Sequence, residues 1–100
     1  GNPIRIDTRN ATGRVEVVMI SEKEAAIVWM EPQDEDEVIK IRKVATSGVL
    51  GKPIVVSKIS AERASGFPQM AKLNNQLFFA WTETGDKKSI TMASLLLETL

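Results

Sequence analysis

Two stretches decide how this chain reads. Glu24-Ala25-Ala26-Ile27-Val28-Trp29-Met30-Glu31 is answered, 52 positions later, by Gln76-Leu77-Phe78-Phe79-Ala80-Trp81-Thr82-Glu83. Both are apolar runs that end in Trp-x-Glu. Apolar residues at consecutive positions in a short run imply a strand buried on both faces. The neighbours repeat in the same order. Gly1-Asn2-Pro3-Ile4-Arg5-Ile6 matches Gly51-Lys52-Pro53-Ile54-Val55-Val56 at an offset of 50. Val15 to Ile20 lines up with Phe67 to Lys72 at 52, and Val38-Ile39-Lys40-Ile41 with Ser89-Ile90-Thr91-Met92 at 51.

Outward from these runs the chain reads as short strands. Ile4 and Ile6 follow a Pro, which is tolerated at a strand start. Val15 to Ser21 is β-branched, and Glu22-Lys23 is a polar connection of hairpin type. Pro32 to Glu37 is expected to be an acidic loop. Ile39 and Ile41 alternate with Lys40 and Arg42, the pattern of a half-exposed strand over Val38 to Ala45. Pro53 to Ile59 is a strand, Ser60 to Phe67 a loop, Pro68 to Leu73 a strand, and Asn74-Asn75 a turn. Ile90 to Leu97 closes the chain as a strand. Met, Ala and Leu there would also suit a helix, but the repeat argues for a strand. The apolar ending Leu95-Leu96-Leu97 with Leu100 is expected to be covered.

A period near 50 residues with about four strands per unit is the pattern of propeller blades. The expected fold is all-β: two four-stranded antiparallel propeller blades, with strand order 4-1-2-3-4-1-2-3, as part of a six-bladed β-propeller. Residues 1–8 would be the outer strand of a preceding or neighbouring blade, 14–60 one blade, and 66–100 a blade lacking its outer strand. The competing architecture is one eight-stranded sandwich. Two blades do not close a ring, so the expected partners are copies of this chain or the missing blades of a longer propeller. In the oligomeric form, three copies would make six blades. Each Ile4–Asp7 strand would complete a neighbour's last blade through a heterologous interface. A chain that opens on Gly1 is expected to be an excised or mature segment.

Composition limits the chemistry. Thirteen basic and thirteen acidic residues cancel, so there is no electrostatic footprint for nucleic acid. Cys, His and Tyr are absent. That removes disulfides, thiolate zinc sites and His-based nucleophilic catalysis. No apolar run is long enough to span a membrane, and the chain does not open on a signal-peptide pattern. No cofactor is implied.

Arg63-Ala64-Ser65-Gly66-Phe67-Pro68-Gln69-Met70-Ala71, followed by Leu77 to Glu83, resembles the C-terminal blades of bacterial sialidase-like (neuraminidase-repeat) β-propeller proteins. Gly51-Lys52-Pro53 before a strand and the two Trp-x-Glu runs fit the same picture. The resemblance implies the propeller fold and a secreted or periplasmic location. It does not carry the activity over. The Ser-x-Asp-x-Gly-x-Thr-Trp turn of that family does not occur, its nucleophilic Tyr has no counterpart, and its three-Arg clamp cannot be matched residue by residue.

The expected function is therefore that of a non-enzymatic binding or assembly module. The alternatives are part of a glycan-acting hydrolase of sialidase type, or a lectin-like carbohydrate-binding surface for anionic sugars. The loops entering the first strand and joining the second and third would gather Arg9, Asn10, Arg14, Glu31, Asp34 and Glu35 at one end, with Glu62, Arg63, Glu83 and Asp86 from the second blade. Arg14 and Arg63 are the natural anion ligands. Glu31 and Glu83 are equivalent by repeat, and a glycosidase needs two such carboxylates about 5–10 Å apart. A structural habit of the repeat is the simpler reading. The run Asp34 to Glu37 lacks the spacing of a calcium loop and reads as solvated. Trp29 and Trp81 could stack on a sugar, but inside these strands they read as core.

Overall fold

The computed structural model describes residues 3–7, 11, 15–60, 64–84 and 87–100, with the side chains of 64–67 set aside. The chain is all-β, in two antiparallel sheets. The first sheet holds β1 (Val15–Met19), β2 (Glu24–Gln33), β3 (Asp36–Ala45) and β4 (Ile54–Ser60), in that spatial order. The second holds β5 (Ala64–Leu73), β6 (Gln76–Glu83) and β7 (Ser89–Leu96), again in chain order. A 3-10 turn, Leu97–Thr99, follows.

Sequence spacing accounts for the hairpins. The expected acidic loop Pro32 to Glu37 is far shorter. Gln33 pairs with Asp36, which leaves only Asp34 and Glu35 to turn the chain. Asp34 takes φ 56°, the left-handed region. Asp and Asn tolerate that region because their short polar side chains bond locally. Asn74 does the same at φ 53° in the β5–β6 turn. Ladder hydrogen bonds therefore extend almost to the tips, where composition alone reads as loop.

The expected loop Ser60 to Phe67 is also corrected. β5 begins at Ala64, pairs Ala64 with Glu83 and Ser65 with Thr82, shifts register, and resumes at Gln69 opposite Ala80. Three residues of β5 thus stand across from Trp81 alone. A bulge accommodates Pro68, which has no N–H to give to a ladder. The register also tests the repeat. β2 and β3 pair Trp29 with Lys40, and β6 and β7 pair Trp81 with Thr91. These are the same partners at offsets of 52 and 51. The first strands differ: Val17 faces Ile27, whereas Met70 faces Phe79. Their true offset is 53, not 52, because the bulge takes up the extra residue.

The sheets pack through unlike faces. Successive side chains of a strand point to opposite faces. The first sheet turns Ala26, Val28, Met30, Ile39 and Ile41 toward the second, with Ile59 completing the patch from β4. The second sheet answers with Leu77, Phe79 and Trp81. Leu77, Phe79 and Trp81 correspond by repeat to Ala25, Ile27 and Trp29, the other face of β2. The Trp-bearing face of the second sheet therefore meets the Trp-free face of the first. The two sheets therefore meet through faces that do not correspond by the sequence matches.

The chain ends behave differently. Leu95, Leu97 and Leu100 pack against the core, and Leu97 N–H donates to Asn75 O at 2.8 Å. The apolar C-terminus is covered as expected, save for the partly open Leu96. Residues 3–7 enter neither sheet. The expected outer strand over Ile4 to Asp7 does not pair within this chain, and a strand without a ladder partner has nowhere to place its backbone hydrogen bonds. Strand order is consequently 1-2-3-4 and 1-2-3, without the leading strand.

Candidate functional site

The Trp-x-Glu run builds a clamp on one face of each sheet. Trp29 and Glu31 are two residues apart on β2 and so share a face. The Trp29 indole N–H donates to Glu31 Oε1 at 2.8 Å. Lys40, directly across from Trp29 on β3, places its Nζ 2.9 Å from Glu31 Oε2. Glu31 is 1% exposed and Trp29 also 1%. Charge-assisted bonds to both oxygens offset the cost of burying the carboxylate.

In the second sheet the clamp is altered. Thr91 stands where Lys40 stands, and its hydroxyl donates to Glu83 Oε2 at 2.7 Å. The Trp81 indole N–H is buried with no acceptor. One charged partner has been replaced by a neutral one, and the indole bond is missing.

The first sheet's Trp face carries a short strap. Arg42, across from Ile27, donates to Ile6 O at 2.7 Å and to Gly51 O at 2.9 Å. Arg5, Ile6, Asp7 and Ala11 together with Val15, Ile27 and Trp29 line a half-open pocket of about 380 Å³. Arg5 Nε lies 2.6 Å from Asp7 Oδ1. The hydrogen bond from Arg5 pulls the Asp7 carboxyl below its ordinary value, helped by the Ala11 N–H. The same bond raises the Arg5 guanidinium, and the Glu31 charge adds to it.

Of the expected mouth residues, Glu31, Asp34, Glu35 and Glu83 are among the described residues. Glu31 and Glu83 lie within β2 and β6, not in loops. Glu83 faces the first sheet and Glu31 faces away from the second, so the first sheet stands between them. They do not form a facing pair across a substrate. Arg14 and Arg63 lie outside the described residues, as do Arg9, Asn10, Glu62 and Asp86. Asp34 and Glu35 are exposed turn residues. Among the described residues no three Asp or Glu side chains converge in a way that could hold a metal ion. No described helix is long and apolar enough to cross a membrane. Trp29 and Trp81 are buried, as their position inside a strand predicts.

The sequence reading missed Lys40, Thr91 and Arg42 as partners of this face. The matches at 52 and 51 made Lys40 and Thr91 equivalent to each other, and the hairpin registers then set each opposite a Trp. Comparison with protein-family models, curated proteins and solved structures found no match to this chain.

Among the described residues two apolar surfaces stay exposed. On the first sheet's Trp face, Val15, Val17 and Met19 are 58, 60 and 54% exposed. On the second sheet's Trp-free face, Ile90 and Met92 are 80 and 67% exposed. Contiguous exposed apolar patches of this kind mark interaction surfaces.

Proposed function

We infer that this chain is an assembly module: two blades of a propeller-like stack that adds further units head to tail. The carrying observation is the packing of unlike faces. One Trp face already sits on one Trp-free face inside the chain. A second Trp face, which the strap covers only in part and which leaves Val15, Val17 and Met19 exposed, and a second Trp-free face are left over, one on each outer side. The internal interface thus serves as a template for an external one, and the occupant of each open face is a second copy of this chain. Such a heterologous contact closes into a ring when the rotation per unit divides a full turn. Three copies forming a six-bladed ring is the form in keeping with the resemblance to sialidase-like propellers.

The reading is non-enzymatic. The two repeat-related carboxylates are taken up by Trp29 and Lys40 in one sheet and by Thr91 in the other. A glycosidase of sialidase type and an anionic-sugar surface on Arg14 and Arg63 gain no support from the described residues.

Light scattering on the purified chain tests the reading. The expected molar mass is three times 11.0 kDa, with another integral multiple also upholding assembly. A monodisperse monomer with full β circular dichroism at high micromolar concentration would overturn it. Ile90→Lys together with Met92→Lys should return the assembly to monomers without loss of β-structure.

A further inference from the structure

The strap lies across part of the surface that assembly needs. Inside the chain, Phe79 and Trp81 of β6 are buried in the core shared with the Trp-free face of the first sheet. Their counterparts by repeat are Ile27 and Trp29 of β2, on the outward face. There Arg5, Ile6 and Asp7 stand beside Ile27 and Trp29, and Trp29 is buried although its face turns outward. The strap is firmly tied. Arg42 of β3 donates to Ile6 O and also to Gly51 O, so one guanidinium joins strap, sheet and the approach to β4. Arg5 and Asp7 brace each other within the strap. Ile4 Cδ1 rests against Gly48, 3.1 Å from where a Cβ on that glycine would stand. A neighbour that repeated the internal interface would have to take the place of Arg5, Ile6 and Asp7.

Resting on the assembly reading above, we propose that residues 3–7 are an intramolecular competitor that sets the concentration at which copies of this chain associate. Closed, the strap holds part of the seat of the neighbour's Ile90–Met92 face. Open, it uncovers Ile27 and Trp29 beside Val15, Val17 and Met19 and makes the apolar surface continuous. Only the open form accepts a neighbour, so the apparent dissociation constant is the intrinsic one divided by the open fraction. Arg42 is the positioning residue of this latch. It binds the strap through a backbone carbonyl, so its hold does not depend on the side chain at position 6.

Two full-chain variants test the latch from opposite sides. Arg42→Gln removes the tie from the sheet, and Ile6→Asp places a charge beside Ile27 and Trp29 from within the strap. Neither changes an exposed apolar residue of either outer face. Light scattering over a dilution series reads association, and circular dichroism checks that β-structure is kept. Both variants should associate at about tenfold lower concentration than the unaltered chain, as removal of a dominant closed state requires. Ile90→Lys with Met92→Lys, added to either variant, should abolish the gain. Unchanged or weaker association in a variant that keeps its β-structure overturns the competitor role and leaves assembly standing. A gain that survives the two lysines is non-specific and overturns it as well. Monomers throughout, in the unaltered chain and both variants, overturn the competitor role and the assembly reading together.

Discussion

Ile39 and Ile90 occupy the same place in two sheets built from one repeat, yet one is 0% exposed and the other 80%. Ile41 and Met92 differ in the same way, at 0 and 67%. On the opposite face the inequality reverses. Pro68 is fully buried where its counterpart Val15 is 58% exposed, and half-buried Met70 stands where Val17 is 60% exposed. Local sequence does not explain this, since both members of each pair are apolar or fit an apolar slot. Position in the stack explains it. Each sheet has one face against its neighbour and one face toward the outside, and the two sheets turn opposite faces inward.

That comparison gives its largest test in paired core truncations. Ile39→Ala should cost about 2–5 kcal/mol in a denaturant melt, the sum of lost transfer energy and residual cavity. Ile90→Ala should cost under about 0.5 kcal/mol in a monomeric background such as the Met92→Lys chain. An Ile90→Ala cost near that of Ile39→Ala in that background would break the inside–outside distinction.

The two Trp clamps set the next test. Glu31→Ala leaves Lys40 without its buried carboxylate and should cost about 3 kcal/mol by the same melt, as a broken buried pair does. Glu83→Ala loses one hydroxyl bond and should cost about 1 kcal/mol. Trp29→Phe should likewise cost about 1 kcal/mol more than Trp81→Phe, because only the Trp29 indole has an acceptor to lose. Equal costs at the two Trp positions would show that the indole bond contributes nothing.

A smaller effect belongs to the turns. Asp34→Gly removes the steric cost of φ 56° and should stabilise by about 0.5 kcal/mol, whereas Asp34→Val should destabilise by about 1–2 kcal/mol. The smallest concerns the strap. The Asp7 pKa is depressed, so its bond to Arg5 holds the segment above the ordinary carboxylate value and is lost as pH falls through the lowered one. Trp29 fluorescence in a Trp81→Phe chain should therefore change on acidification below about pH 4, and the change should vanish in Asp7→Asn.

Much of this was legible beforehand for a physical reason. Consecutive apolar residues in β2 are buried toward both sides, whereas β6 buries Leu77, Phe79 and Trp81 on one face and leaves Phe78 and Ala80 half-buried on the other; a strand's two-residue period fixes which residues share a face. The offsets of 52 and 51 make Trp29 and Trp81, and Lys40 and Thr91, equivalent positions, while the register of each hairpin sets them across from each other. The bulge at Pro68 was hidden, because a register shift is decided by what a proline cannot donate and by how the chain crosses between sheets. The hairpin at Asp34 was hidden because acidic composition resembles a loop even when ladder bonds run to the tip.

By itself, then, the sequence determined most of the strands of the two sheets and the two apolar Trp runs at their centres, since these depend on local periodicity. Only the tertiary structure decided which face of each sheet turns inward, and that Glu31 and Glu83 are clamp residues on separate layers. It also decided that Ile4 to Asp7 straps the Trp29 face instead of joining a sheet. Those outcomes depend on what lies across a gap of about 10 Å between sheets, and periodicity along one strand carries no information about that distance.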